Sequence, residues 1–274
     1  MSVRTALVVV VYNQYCGDSV TCSTIAAGSL QPDIVLIVDN STREMDNRAC
    51  CAKQGWMYHS MGGNAGLTKA YNAAISILQN NADLVIWADD DTVFPADYME
   101  KLVETASAMP DNDIFLPVVK RKTGILSPLI YTQRRIVNIM QLSDLENQQI
   151  TAINSGMAVR FSLYDDYHYD EAIFLDAVDH DFMCWCNHNC KKIHIMEDVL
   201  LFQNFFAESN PSNAARKRRM NIYCRDIRIF EAKWGKSRVL TELGVLKFCT
   251  YQYFIMLTAW LHEKVNTNSS KNGG

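Results

Sequence analysis

Apolar and polar positions along the chain change period in a regular way. TALVVVV (Thr5–Val11), DIVLIVD (Asp33–Asp39) and LVIW (Leu84–Trp87) are near-continuous apolar runs rich in β-branched residues. Such runs mark strands buried on both faces, since a half-exposed strand would alternate. Between the runs the period lengthens. A polar helix opens near Asp18, and in LTKAYNAAISILQNN residues Ala70, Ala73, Ala74, Ile77 and Leu78 recur at helical spacing. A further helix is predicted over Ala96–Met109, just after Pro95, and the apolar runs DIFLPVV and INSGMAVR extend the sheet beyond it. Strands alternating with helices build parallel βαβ units. The expected fold is therefore α/β: a Rossmann-like, mostly parallel central sheet flanked by helices. From about Pro211 the composition turns basic and then aromatic, which divides the chain into a domain over 1–210, a helical segment over 211–265 and a polar tail over 266–274 expected to be disordered.

Composition narrows the class. The 274 residues carry 26 Lys and Arg against 30 Asp and Glu, a net charge of -4, so no global field draws the chain to nucleic acid. Nine cysteines are irregularly placed, and the opening MSVRTALVVVVYNQ lacks a basic n-region and a small-residue cleavage site. A reducing cytoplasm is the expected location. FCTYQYFIMLTAWL (Phe248–Leu261) is too short and too polar to span a bilayer, but it suits lying on the inner face of one as a peripheral contact. Packing against the rest of the chain explains the same residues. In CWCNHNCKKIH, Cys184, Cys186, Cys190 and His194 offer zinc ligands without a paired CxxC, so buried free thiols are expected instead.

The candidate chemistry gathers at strand ends. In DLVIWADDDTVFP three consecutive carboxylates, Asp89, Asp90 and Asp91, follow a buried strand. Adjacent like charges held near an interior demand a cation, and the crevice outside the carboxyl ends of the strands is where open α/β sheets bind ligands. Asp39 ends a second strand beside the VYN exit of the first. It either accepts a ribose hydroxyl or base N–H, or merely starts the turn DNST through its own backbone bonds. GGNAG (Gly62–Gly66) opens the helix at Leu67, a place for phosphate or sugar oxygens or simply a turn; it has neither GxGxxG nor GK[ST] spacing. FLDAVDHDFMCWC supplies Asp176, Asp179 and Asp181 near a helix start, more acids than capping requires.

Taken together, VVVYN, IVDNS, NAGLTKAYNAAI and WADDDTVF resemble the corresponding segments of the family 2 glycosyltransferases with the GT-A fold, over roughly the first 230 residues. The resemblance implies an inverting hexosyltransferase that moves a sugar from a UDP or dTDP sugar to a hydroxyl of a glycan or lipid-linked acceptor in cell-surface polysaccharide synthesis. It implies donor contacts from Val11, Tyr12, Asn13, Asp39, Asn64, Lys69, Asp89 and Asp90, with Asp89 facing the ribose. Asp91, in the DxD segment, would bind Mg2+ or Mn2+, while Gln203 stands where many relatives have a metal-ligating histidine. VDHD matches the family's acid-Asp-x-Asp signature, which makes Asp179 the base. Asn154, Ser155 and Gly156, together with Asp176 and Asp181, would line the acceptor side, and the extra upstream Asp176 leans toward rhamnosyl- or galactofuranosyl-type transfer. ARKRRMNIYCRD (Ala215–Asp226) resembles the family's C-terminal Tyr/Arg element, so Arg218, Arg219 and Arg225 would clamp a diphosphate unless they form a solvated basic face.

Three rivals share these residues. Asp89-x-Asp91-x-Val93 has the pattern of haloacid-dehalogenase-like phosphatases, whose motif closes the first strand of the sheet rather than a later one. A sugar nucleotidyltransferase wants a basic glycine-rich loop after the first strand, which VYNQYCGDS lacks. A non-catalytic carbohydrate-binding relative has no need of both Asp91 and Asp179.

Overall fold

A computed structural model describes residues 3–122, 124–132, 135–203 and 212–269, with side chains as far as Thr258. The chain divides into two compact units, Met1–Phe206 and Ala207–Gly274. The first begins with β1 (Thr5–Val11), α1 (Val20–Ala26), β2 (Ile34–Asp39), α2 (Asn47–Gln54), β3 (Met57–Ser60), α3 (Leu67–Leu78), β4 (Leu84–Ala88) and α4 (Tyr98–Ala108). It continues with β5 (Ile114–Arg121), β6 (Gly124–Ser127), β7 (Leu129–Thr132), β8 (Arg135–Val137), β9 (Ile150–Thr151), β10 (Met157–Arg160), α5 (Val178–His188) and β11 (Ile193–Phe202).

The main sheet has the order β11-β5-β10-β4-β1-β2-β3, with β6 paired to β5. β1, β2, β3 and β4 run parallel, as do β5 and β11, whereas β10 lies antiparallel between β4 and β5. The central strands carry Leu7, Val9, Leu36, Ile37, Leu84 and Ile86, all fully buried, which is why their sequences run apolar without alternation. Trp87 is also fully buried; its indole N–H donates to Tyr164 Oη (2.6 Å) and its ring packs 4.4 Å from Tyr71. A small sheet of order β8-β7-β9 adds a minor core around Leu129, Ile139 and Leu145.

Several elements differ from the sequence reading. The mixed stretch before Met61 contains α2 and β3; β3 is an edge strand, so its MYHS carries no buried run to announce it. α1 opens at Val20, because Ser19 caps it by accepting from Cys22 N. α3 buries Ala70, Tyr71, Ala74, Ile75 and Leu78, a stripe rotated off Ala73 and Ile77, since Tyr71 fits the aromatic cluster at Trp87.

The second unit is a helical hairpin of α6 (Asn213–Lys233) and α7 (Arg238–Ser269). Met220, Cys224 and Val245 pack together with Tyr223, Ile227, Phe248 and Cys249 around them. Arg228 pairs bidentately with Glu242 (both N···O 2.8 Å), and Gly235 at φ 72° turns the chain after α6. α7 continues through Ser269, so 266–269 are helical where a disordered tail was expected, because propagating a helix costs far less than nucleating one. Residues 270–274 lie outside the described part.

Candidate active site

The register brings the carboxyl ends of three strands to one edge: Val11 lies opposite Asp39, and Val9 opposite Ala88. The turn after β4 is clamped from behind by the start of α1. Ser19 Oγ donates to Asp90 O (2.8 Å), the Thr21 hydroxyl donates to Asp89 O, and Thr92 N donates to Thr21 Oγ1 (2.9 Å). The backbone of the three-aspartate turn is thereby fixed, leaving its carboxylates partly exposed. Asp89 Oδ2 accepts from Ser155 Oγ (2.9 Å) and from Gln203 Nε2 (3.3 Å), and the same amide nitrogen reaches Asp91 Oδ1 at 3.4 Å. Burial, then the charge of Asp179, push the Asp89 carboxyl up to about 7 despite the Ser155 bond that pulls it down. Asp90 is pushed up to about 6 by burial and by Asp91. The cleft holds more carboxylate than it can keep ionised alone, the condition that a cation relieves.

The donor set fits a hard divalent ion. Asp91 supplies a carboxylate, and Gln203, 6 % exposed, points its Nε2 at Asp91 Oδ1 while its buried Oε1 has no hydrogen-bond partner, so a flip of the amide would bring that oxygen to the carboxylate. An amide oxygen next to carboxylate oxygen suits Mg2+ or Mn2+. Among the described residues no group of three or more His, Cys, Asp and Glu side chains is arranged to hold a metal, so Asp91 and Gln203 would be only a partial ligand set, one that other oxygen ligands would have to complete. The zinc reading fails on the same ground: Cys184 and Cys186 are buried, Cys190 is exposed, and none of the three is in a disulfide.

Across the cleft, Asp179 sits in the first turn of α5, entered through Ala177 at φ 62°. A left-handed alanine is strained, and here it turns the chain into the helix two residues before the carboxylate. Asn154 holds that carboxylate twice, N–H to Oδ2 (3.2 Å) and Nδ2 to Oδ1 (3.0 Å). Burial pushes Asp179 up to about 6, with Asp176 adding repulsion and the Asn154 backbone bond opposing both. Successive residues of one turn therefore grip the two key acids: Asn154 holds Asp179 and Ser155 holds Asp89. Gly156 makes this turn possible. At φ 77° it donates to Trp87 O (2.8 Å) and accepts from Tyr98 Oη (2.8 Å), and a Cβ there would lie 2.6 Å from Leu201 Cδ1. His180 Nδ1 lies 2.6 Å from Thr151 Oγ1, and burial lowers the ring to about 4, so it is a neutral imidazole at pH 7.

On the other side, Asp39 Oδ1 accepts from Ser41 N (3.0 Å), which is the local turn bond, while Oδ2 accepts from Asn47 Nδ2 (2.9 Å) and Tyr58 Oη (3.2 Å). Asn13, at φ 52°, donates from its N–H to Ser41 Oγ (2.8 Å) and accepts from Thr42 N (3.0 Å). Asn64 Oδ1 accepts from Asn40 Nδ2 at 3.3 Å.

Some expected positions fall elsewhere. Val11 is fully buried in the core, so only its carbonyl, which accepts from Asn40 N, faces the strand edge. Tyr12 is half exposed, and Lys69 is exposed in the first turn of α3. The start of that helix is already engaged, with Leu67 N donating to Phe174 O and Thr68 Oγ1 to Ile173 O, which disfavours it as an anion site. Asp181, in the first turn of α5, is 1 % exposed and lies near Tyr167, so it offers an acceptor no surface. Asp176 is partly exposed. Arg218, Arg219 and Arg225 lie on α6 in the second unit, where Arg225 Nε is 3.4 Å from Asp226. The sequence reading overlooked Ser19, Thr21, Asn40 and Asn47; their one signal was being polar where the pattern calls for a buried face.

A sequence profile described as glycosyl transferase family 2 matches residues 7–168. No curated protein matches the chain. Among solved structures with the same fold are GalNAc-T7 with UDP, GalNAc and Mn2+ (10 % identity, TM-score 0.58, covering 80 % of this chain and 47 % of that one). Another is Staphylococcus aureus TarS 1–349 with UDP (16 %, 0.56, covering 82 % and 65 %). A third is the mannosyltransferase PcManGT of Pyrobaculum calidifontis with GDP-Man and Mn2+ (13 %, 0.58, covering 100 % and 76 %). The chain thus spans about half the length of GalNAc-T7 and less than two thirds of the TarS fragment. At these identities the likeness speaks for the fold alone, and the profile match ends before α5.

Proposed function

Because the chain belongs to glycosyl transferase family 2, we propose that it is an inverting glycosyltransferase, moving a sugar from a UDP or dTDP sugar to a hydroxyl of a glycan or lipid-linked acceptor in cell-surface polysaccharide synthesis. The observation that carries this reading is the 154–155 turn, which ties a donor-side carboxylate, Asp89, to a second raised carboxylate, Asp179. A nucleotide-sugar enzyme needs that pairing: one acid group to organise the donor, another to take a proton from the acceptor.

In this reading Asp39, held by Asn47 and Tyr58, meets the nucleoside, and Asp89 takes the ribose. Asp91 and Gln203 would hold Mg2+ or Mn2+, an ion that would supply a Lewis acid for the charge on the departing diphosphate. Asp179 accepts the acceptor hydroxyl's proton as its oxygen bonds to the anomeric carbon. The sugar–phosphate bond breaks on the opposite face, and its electron pair leaves with the nucleoside diphosphate. Asn154 aims the Asp179 carboxylate, and burial makes it a better base than a solvated one. Asp176, close enough to raise Asp179, is the residue on whose position in the sequence the rhamnosyl- or galactofuranosyl-type reading rests. Neighbouring unlinked thiols such as Cys16 and Cys51 (Sγ–Sγ 3.9 Å) suit a reducing cytoplasm.

Calorimetry with UDP- and dTDP-sugars, with and without Mn2+, tests the donor half, and product release as nucleoside diphosphate tests turnover. Metal-dependent donor binding with no turnover on any hydroxyl acceptor would favour the non-catalytic carbohydrate-binding relative instead.

A further inference from the structure

Helix α7 is apolar on two opposite sides. One side, with Thr241, Val245, Phe248 and Cys249, faces α6. The other presents Val239 (68 % exposed), Leu243 (57 %), Leu246 (63 %), Phe254 (62 %) and Leu257 (53 %). These recur at steps of three, four and their sums, so they form one stripe, roughly 27 Å long at 1.5 Å per residue. Single exposed leucines need no explanation, but a continuous apolar stripe marks an interaction surface.

Its surroundings say what it meets. Lys247 edges a groove formed with Leu243, Leu246 and Phe254, and Lys217 from the start of α6 edges a second with Tyr253 and Leu257. Residues 207–274 hold twelve basic and five acidic side chains, a formal net of +7, while residues 1–206 hold fourteen and twenty-five, a net of -11. The chain's overall -4 therefore conceals a strongly basic hairpin. Two such hairpins would repel, whereas an anionic surface satisfies charge and stripe together. No helix among the described residues is long and apolar enough to cross a membrane.

We infer that the α7 stripe docks on an anionic phospholipid surface, with aliphatic and aromatic side chains in the interfacial layer and lysines at its headgroups. The inference goes beyond glycosyl transfer and does not depend on it, since vesicle binding needs no turnover.

Sedimentation of the full chain with phosphatidylcholine vesicles, alone or mixed with phosphatidylglycerol, is the test. The wild type should sediment with the mixed vesicles only and be released by salt. Leu246→Glu with Phe254→Glu should weaken binding at least tenfold, and Lys217→Glu with Lys247→Glu by a similar factor, roughly fivefold for each cation lost. Both pairs should keep the wild-type melting temperature. A wild type that stays in solution with both vesicle types overturns the inference, as does equal sedimentation of all variants. A dimer that Leu246→Glu and Phe254→Glu dissociate would assign the stripe to a second copy, and a lowered melting temperature would assign it to the chain's own packing; either result refutes the lipid surface.

Discussion

Replacing Asp179 by asparagine should disable the protein chemically while making it more stable at neutral pH. Burial raises this carboxyl from 3.8 to about 6. Roughly 2 pK units correspond to about 3 kcal/mol of stability withheld while the group is ionised, and its partial exposure reduces that to about 1–2 kcal/mol. Below pH 3.8 the group is protonated in both states, so nothing is gained. Between there and about 6 the unfolded chain loses its proton first, so the native state's disadvantage grows with pH and is complete above about 6. Asparagine carries no charge, so the variant avoids this cost. Its side-chain amide also fits the site, because Asn154 Oδ1 is buried without a partner and a flip of that amide lets it accept the new N–H. Urea unfolding at pH 7.5 should therefore show Asp179→Asn more stable by about 1–2 kcal/mol, with the difference vanishing near pH 4. Turnover should fall by about 10² to 10⁴, the range of a positioned general base, with donor affinity unchanged. A variant less stable at pH 7.5, or equally stabilised at pH 4, refutes the burial argument; one that still turns over refutes the base.

The wild-type kcat/KM should rise with pH to a plateau above about 6 with a limb of unit slope, and a profile flat from pH 5 to 8 would remove Asp179 as the titrating base. Asp91→Asn should abolish the Mn2+-dependent part of nucleoside diphosphate binding in calorimetry; unchanged metal dependence would show that the ion rests elsewhere. Gln203→His should tighten Mn2+ binding several-fold, since imidazole is a better ligand than a neutral amide oxygen, and equal or weaker affinity would place Gln203 outside the coordination sphere. Gly156→Ala should cost about 2–4 kcal/mol, from φ 77° and the close approach of Leu201 and Phe94, and an unaltered urea midpoint would contradict the geometry described for that turn.

Much of the architecture was legible along the chain, for a physical reason: strands buried on both faces must be apolar throughout, so β1, β2 and β4 announced themselves together with the acids at their ends. The change of period marked α3. Strand direction was not legible. An apolar run reads alike in both directions, and only the packed sheet set β10 antiparallel between β4 and β5. Edge strand β3 was silent because an edge needs little apolar surface. Within the site, the sequence supplied the residue types but not the partners, since the bonds that matter span long separations. Asn154 with Asp179, Ser155 with Asp89, Gln203 with Asp91 and Thr21 with the aspartate turn are pairs that only the closed fold brings within hydrogen-bonding distance. Desolvation, too, belongs to the fold: an isolated Asp179 would titrate as any aspartate does, and burial in the surrounding protein raises its carboxyl to about 6.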